Sequence, residues 1–131
     1  RVLFRSELSV KESILVIKSK AFAIRVINLY KYLCKEKKEY ILSKQLLRSG
    51  TSIGANIREA NFAQSINDFI SKMSIALKEA NETHYWLELL NEAGYINDLE
   101  SDSMKKDCKE LLRILQASII TAKSNRENTK P

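Results

Sequence analysis

From Ile66 to Leu90 the residues Ile66, Phe69, Met73, Ala76, Ala80, Thr83, Leu87 and Leu90 fall at alternating spacings of three and four without a break. That period lays them along one stripe of an α-helix and on no single face of a strand. Ser65 precedes the stripe with Asp68 three residues on, an N-terminal capping pattern. Gly94 closes it, with Tyr95 and Ile96 behind, in the form of a left-handed C-cap backed by an apolar contact. A helix over residues 65–93 would be roughly 43 Å long at 1.5 Å per residue. Such a helix must bury its stripe against others of matching length, which restricts the chain to few folds.

The rest of the sequence supplies those partners. In residues 19–35, "SKAFAIRVINLYKYLCK", Phe22, Val26, Leu29 and Leu33 keep the period, and Ala23, Ile27, Tyr30 and Cys34 broaden the apolar face. Upstream, Ser9 and Glu12 form another capping pattern, so residues 1–18 read as an N-terminal arm or a helix extension. The charged cluster Lys35 to Glu39 reads as the first connection. A second helix follows over about Tyr40 to Asn61, with Leu46, Gly50, Ile53, Ile57 and Ala60 in period. Asp98 is the expected cap of a last helix, in which Met104, Cys108, Leu111, Leu115, Ser118 and Ala122 continue the period and Leu112 and Ile119 widen it.

Breakers are scarce: the chain has three Gly and one Pro, and that Pro is its last residue. At 131 residues, one core is expected. The prediction is an all-α protein, an antiparallel up-down-up-down four-helix bundle over residues 19–123 with a polar, frayed C-terminal tail at 124–131.

The stretch "RSGTSIGANIREA", residues 48–60, departs from ordinary helix composition. Gly50 and Gly54 in a helix interior each cost about 1 kcal/mol relative to Ala. A phosphate loop would need a preceding strand and a Lys-Ser/Thr ending, and neither is there. Close helix approach is the better account, with the glycines as a packing strip against the third helix or a neighbouring subunit. Ser52 and Asn56 read as hydrogen-bonding a neighbouring helix, with a ligand as the sharper alternative.

Catalysis finds little support. Cys34 and Cys108 are far apart, and His84 is the single histidine. Zinc sites and disulfide frameworks need more ligands or tighter spacing. Glu79 and His84 are five residues apart, about 140° around a helix, and cannot share a metal as an i, i+4 pair would. No nucleophile or cofactor motif accompanies them, so no catalytic residue, metal or cofactor is assigned and the protein reads as not an enzyme. Glu79 is expected to meet Asn56 or Arg48 across a helix seam. Trp86 and Tyr85 lie off the core stripe and suggest a second buried face, hence a homo-oligomer.

Charge is uneven. Residues 1–62 hold 13 Lys/Arg against 5 Asp/Glu, residues 63–100 hold 2 against 7, and residues 101–131 hold 7 against 4. The formal net charge is +6. This fits pairing between segments or subunits, a basic surface for a polyanion, or simply solvated helix faces. No apolar run approaches the roughly 20 residues that span a bilayer, and no signal-peptide pattern is visible; a soluble, cytoplasmic protein is expected, with no membrane partner.

The blocks "AFAIRVINLYKYL", "LSKQLLRSGTSIGANIREA" and "DFISKMSIALKEANETHYWLELL" resemble the bacterial four-helix-bundle family of the 23S rRNA intervening-sequence proteins, over about Ala21 to Ala122. The resemblance implies an up-down bundle that assembles as a homopentamer, with RNA binding inferred from genomic context and basic charge. The accessory protein of diversity-generating retroelements is similar in fold, a basic pentameric barrel that contacts a reverse transcriptase and nucleic acid. Arg48, Ser52, Gly54, Asn56, Glu59, Glu79, Thr83, Tyr85 and Trp86 fall on the family's recurring motif and are read, with Gly50, as packing and assembly residues. The family's wording at Gly50 varies toward Ala, so the resemblance does not single that glycine out.

The expected function is therefore a non-enzymatic homo-oligomer that binds RNA through basic surface residues. Lys31, Lys35, Lys37, Lys38, Lys44, Arg48 and Arg58 are the candidates, with Lys105, Lys106 and Lys109 on the last helix as a second patch. The alternative is a scaffold or accessory subunit that holds another protein without touching RNA.

Overall fold

A computed structural model of the chain describes the backbone of residues 2–129 and the side chains of residues 14–129. Among these, the chain forms four α-helices and no strand: α1 Val2–Glu36, α2 Leu42–Asn61, α3 Ile66–Glu92 and α4 Asp98–Asn128. α1 continues unbroken through the stretch upstream of Ser19; the side chains of Ser9 and Glu12 lie outside the described residues. Short connections force each helix to run antiparallel to the one before. α1 packs on α2 and α4, and α3 on α2 and α4, so α2 and α4 occupy diagonal corners of an all-α up-down-up-down bundle.

Each connection is built from local chemistry. α1 ends where Lys38 adopts a left-handed φ of 55°, letting the Glu39 N–H turn back to the Leu33 carbonyl at 3.0 Å. Glu39 then caps α2: its carboxylate accepts from the N–H groups of Ile41 (3.1 Å), Leu42 (2.9 Å) and Ser43 (2.7 Å), while the Ser43 hydroxyl donates to the Glu39 carbonyl at 2.8 Å. The Ser65 hydroxyl accepts from the Asp68 N–H at 3.0 Å and starts α3 as the sequence predicts.

Gly94, at φ 86°, ends α3 with its N–H on the Asn91 carbonyl (3.0 Å) and the Tyr95 N–H on the Leu90 carbonyl (2.8 Å), the two bonds of a Schellman cap. α4 departs from expectation at its start: Asn97, not Asp98, is the cap, its side-chain oxygen accepting from the Glu100 N–H at 2.8 Å. Asp98 instead accepts from the Asn91 amide at 2.9 Å, tying the two helix ends together. α4 also runs to Asn128, past the expected start of a frayed tail at residue 124. Arg126 donates there to Asn67 at 3.0 Å and holds the last turns against the start of α3.

The stripes read from the sequence form one core. Phe22, Leu33, Ile53, Met73, Leu87 and Leu111 are among its fully or almost fully buried members, and each is worth about 1.5–3 kcal/mol relative to exposure. Register is set by contacts at every seam. Cys108 donates to the Ala80 carbonyl at 3.2 Å between α4 and α3. Arg25 grips Asp107 at 2.6 Å and the Ser103 hydroxyl at 3.0 Å between α1 and α4.

The small-residue strip faces α1, which corrects the expected partner. A Cβ at Gly50 would meet both methyls of Val26, and one at Gly54 would meet the Ser19 side chain. The period places the glycines within a helix, with Gly50 on its apolar stripe; α1, the preceding helix in the chain, takes the close approach because α2 turns its Ser49 edge toward α3.

Candidate nucleic-acid interface

The motif residues on α2 and α3 divide into those that join helices and those that do not. The Thr83 hydroxyl donates to the Glu79 carbonyl at 2.7 Å and meets the Ser49 hydroxyl at 2.9 Å, a fully buried polar bridge across the α2–α3 seam. Glu59 crosses the same seam to Lys72 at 3.2 Å. Ser52 and Asn56 do not reach a neighbouring helix. The Ser52 hydroxyl donates to the Arg48 carbonyl (2.7 Å) and the Asn56 amide to the Ser52 carbonyl (2.9 Å), so each is spent one turn back on its own helix. Glu79 meets neither Asn56 nor Arg48, and its Oε1 is buried without a hydrogen-bond partner.

The aromatic pair separates as well. Trp86 is partly buried against the core and its indole donates to Glu82 at 3.0 Å. Tyr85 is 52% exposed and rests on Trp86 at a ring separation of 5.3 Å.

Reactive groups are arranged for packing. Burial pushes the Cys108 thiol up to about 12, with the neighbouring Asp107 charge adding to the effect, so it stays protonated against the Ala80 carbonyl. For Glu39, burial alone would raise the carboxyl, but the backbone donors of Leu42, Ser43 and Ile41 outweigh it and hold the group below its ordinary range. His84 lies 3.5 Å from Glu88 through Nδ1, and its Nε2 is buried without a hydrogen-bond partner. Among the described residues no three His, Cys, Asp or Glu side chains gather as metal ligands, and no helix is long and apolar enough to cross a membrane.

The candidate cations share one property: none of Lys31, Lys35, Lys37, Lys38, Lys44, Arg48, Arg58, Lys105, Lys106 and Lys109 forms an ion pair among the described residues. Lys105 is half-buried and the others are exposed. The cations bonded across seams are different ones, Lys18 to Glu110, Arg25 to Asp107 and Lys72 to Glu59. Lys31, Lys35, Lys37, Lys38 and Lys44 gather where α1 ends and α2 begins; Arg48 lies one turn further along α2 and Arg58 at its far end. Lys105, Lys106 and Lys109 sit on α4, which is diagonal to α2 and packs against α1.

A concavity that the sequence did not disclose lies between α3 and α4. It encloses about 410 Å³ over an apolar base of Leu77 and Leu112. Lys78 from α3 and Lys109 and Arg113 from α4 line it, beside the amides of Asn81 and Gln116. Of the five, only Lys109 is among the expected site residues. The i, i+4 spacing of Lys109 and Arg113 is visible in the sequence, but their meeting with Lys78 depends on the α3–α4 register.

Fold and surface together define a small all-α four-helix bundle with unpaired cations on its outer faces. The chain belongs to the family of 23S rRNA-intervening sequence proteins, whose model matches residues 11–117. It is also similar to a crystal structure of a protein of unknown function from the S23 ribosomal protein family of Bacteroides thetaiotaomicron. The identity is 55% over 83% of this chain and 97% of that one, with a TM-score of 0.82. No curated protein matches the chain.

Proposed function

We propose that this protein is a non-enzymatic homo-oligomer that binds RNA through its outward cations. The observation that carries the reading is the sorting of charge. Cations such as Lys18, Arg25 and Lys72 are neutralised across seams, while the outward set is left unpaired. Unpaired surface cations release condensed counterions from a polyanion when they replace them, which gives sequence-tolerant and steeply salt-dependent binding. The 23S rRNA context of the family supports RNA as that polyanion.

Assembly is supported by α1, whose outer face exposes Ile17 (69%) and Ile24 (52%) about two helical turns apart, with Ile14 beside them. A ring of five, as the family resemblance implies, would multiply the +6 of one chain. The same apolar face supports a second reading, a scaffold that docks another protein and leaves RNA alone.

Charge reversal of Lys37, Lys38 and Lys44, with solution mass and binding of structured RNA followed across a salt series, separates the two. Lost RNA affinity in an intact oligomer is expected. Unchanged affinity would remove this cluster from the RNA surface, and a wild-type protein that binds no RNA at low salt would leave the scaffold reading.

A further inference from the structure

We infer that the α3–α4 groove is a single-stranded RNA site, in which Lys78, Lys109 and Arg113 take the phosphates and Tyr85 stacks a base. The inference rests on the RNA reading and specifies where and in what form the RNA sits.

Charge singles out the groove. Residues 63–100 are strongly acidic and contain two cations, Lys72 and Lys78. Lys72 is held by Glu59 across the α2–α3 seam, whereas Lys78 has no carboxylate partner among the described residues and lines the groove. From the other wall, Lys109 likewise forms no ion pair among the described residues. Arg113 reaches Glu110 at only 4.0 Å, and that carboxylate is already engaged by Lys18 at 3.2 Å. Of the other carboxylates on these two helices, Asp107 pairs with Arg25 and Glu82 accepts from the Trp86 indole. Three cations from two helices therefore line one cleft, and no acid is among its lining residues.

Spacing gives the form of the ligand. Lys109 and Arg113 stand one turn apart, about 6 Å along α4, which suits successive phosphates of an extended strand. The planar guanidinium of Arg113 can hold a phosphate through two parallel N–H bonds. Asn81 and Gln116 add amides that can both donate and accept, a match for ribose hydroxyls. A furrow between two adjacent helices admits one strand; a duplex would ride on its rims.

Tyr85 completes the arrangement. It follows Asn81 by one turn and Lys78 by two, roughly 10 Å along the helix and within about 20° of the same azimuth. The half-exposed ring, backed by Trp86, is a stacking face at the end of a row of phosphate-binding groups. Cationic tracks joined to aromatic platforms bind single strands without strong sequence preference.

The test is fluorescence anisotropy of the full chain with labelled single-stranded RNA, duplex RNA and single-stranded DNA across a salt series, with mass and far-UV circular dichroism checked for each variant. Lys78→Gln with Arg113→Gln is expected to weaken single-stranded RNA binding at least about ten-fold at low salt and to flatten the log–log salt slope by roughly 0.7 for each phosphate no longer neutralised. Tyr85→Ala should weaken it about ten-fold with the slope unchanged, and Tyr85→Phe should restore it. A groove variant that binds like wild type, while Lys37→Gln with Lys38→Gln does not, would overturn the groove site and leave the RNA reading standing. Preference for duplex RNA or for DNA would overturn the single-stranded RNA assignment. Absence of binding to all three probes by wild type at low salt would overturn the RNA reading and the groove together.

Discussion

A Cβ placed on Gly50 would lie 2.8 Å from both γ-methyl groups of Val26, closer than carbon atoms pack. Val26 is fully buried and β-branched, so it has no rotamer into which to withdraw. Gly50→Ala should gain about 1 kcal/mol of helix propensity and lose about 1–3 kcal/mol to overpacking, a net destabilisation on the order of 1 kcal/mol. Denaturant unfolding of Gly50→Ala, Val26→Ala and the double variant should show the pair less destabilised than the sum of the singles by at least about 0.5 kcal/mol. Additive singles would place the constraint elsewhere than Val26.

Lys38 holds a left-handed backbone, and its side chain forms no ion pair among the described residues. Lys38→Gly should therefore raise stability by about 0.5–1 kcal/mol while it lowers RNA affinity. Opposite movements of the melting temperature and the binding constant are the expected signature, and a fall in stability would contradict the backbone account.

Glu39 accepts three backbone N–H bonds in its charged form. Its folded-state pKa is lowered, so its contribution is present above the ordinary carboxylate range and is lost as pH falls through the folded value. Glu39→Ala should cost about 1–2 kcal/mol at neutral pH. Glu39→Gln, which keeps one acceptor oxygen, should show a shallower loss of stability on acidification than wild type. Parallel acid limbs would mean the carboxylate charge is not what caps α2.

Cys108 behaves in the opposite sense. With its folded pKa raised to about 12, its contribution is complete below the ordinary thiol range and is lost as pH climbs from there toward 12. A thiol reagent should modify half-buried Cys34 in the native protein and reach buried Cys108 only on unfolding. Two thiols modified at equal rates in native buffer would contradict this burial.

The helices were legible because their determinants are local. Every stripe residue from Phe69 to Leu90 is buried, and Ser65 and Gly94 perform the capping their neighbours imply. The α2 cap was hidden in the charge cluster, because Glu39 acts through a carboxylate bent back on its own chain where a Ser or Asp would ordinarily mark a helix start. The partner of Gly50 and the company of Lys109 were illegible for a different reason. Azimuth tells which way a residue points, while the neighbour it meets depends on how two helices slide past each other.

The division between bonded and unbonded cations also bears on how such a protein can change. No seam, cap or core packing among the described residues depends on Lys37, Lys44, Lys106 or Lys109. Their replacement costs the fold little, since surface substitutions away from such features are usually within about ±0.5 kcal/mol. Selection on ligand preference is thereby decoupled from selection on folding, and one scaffold can drift through many surface chemistries without crossing its stability threshold.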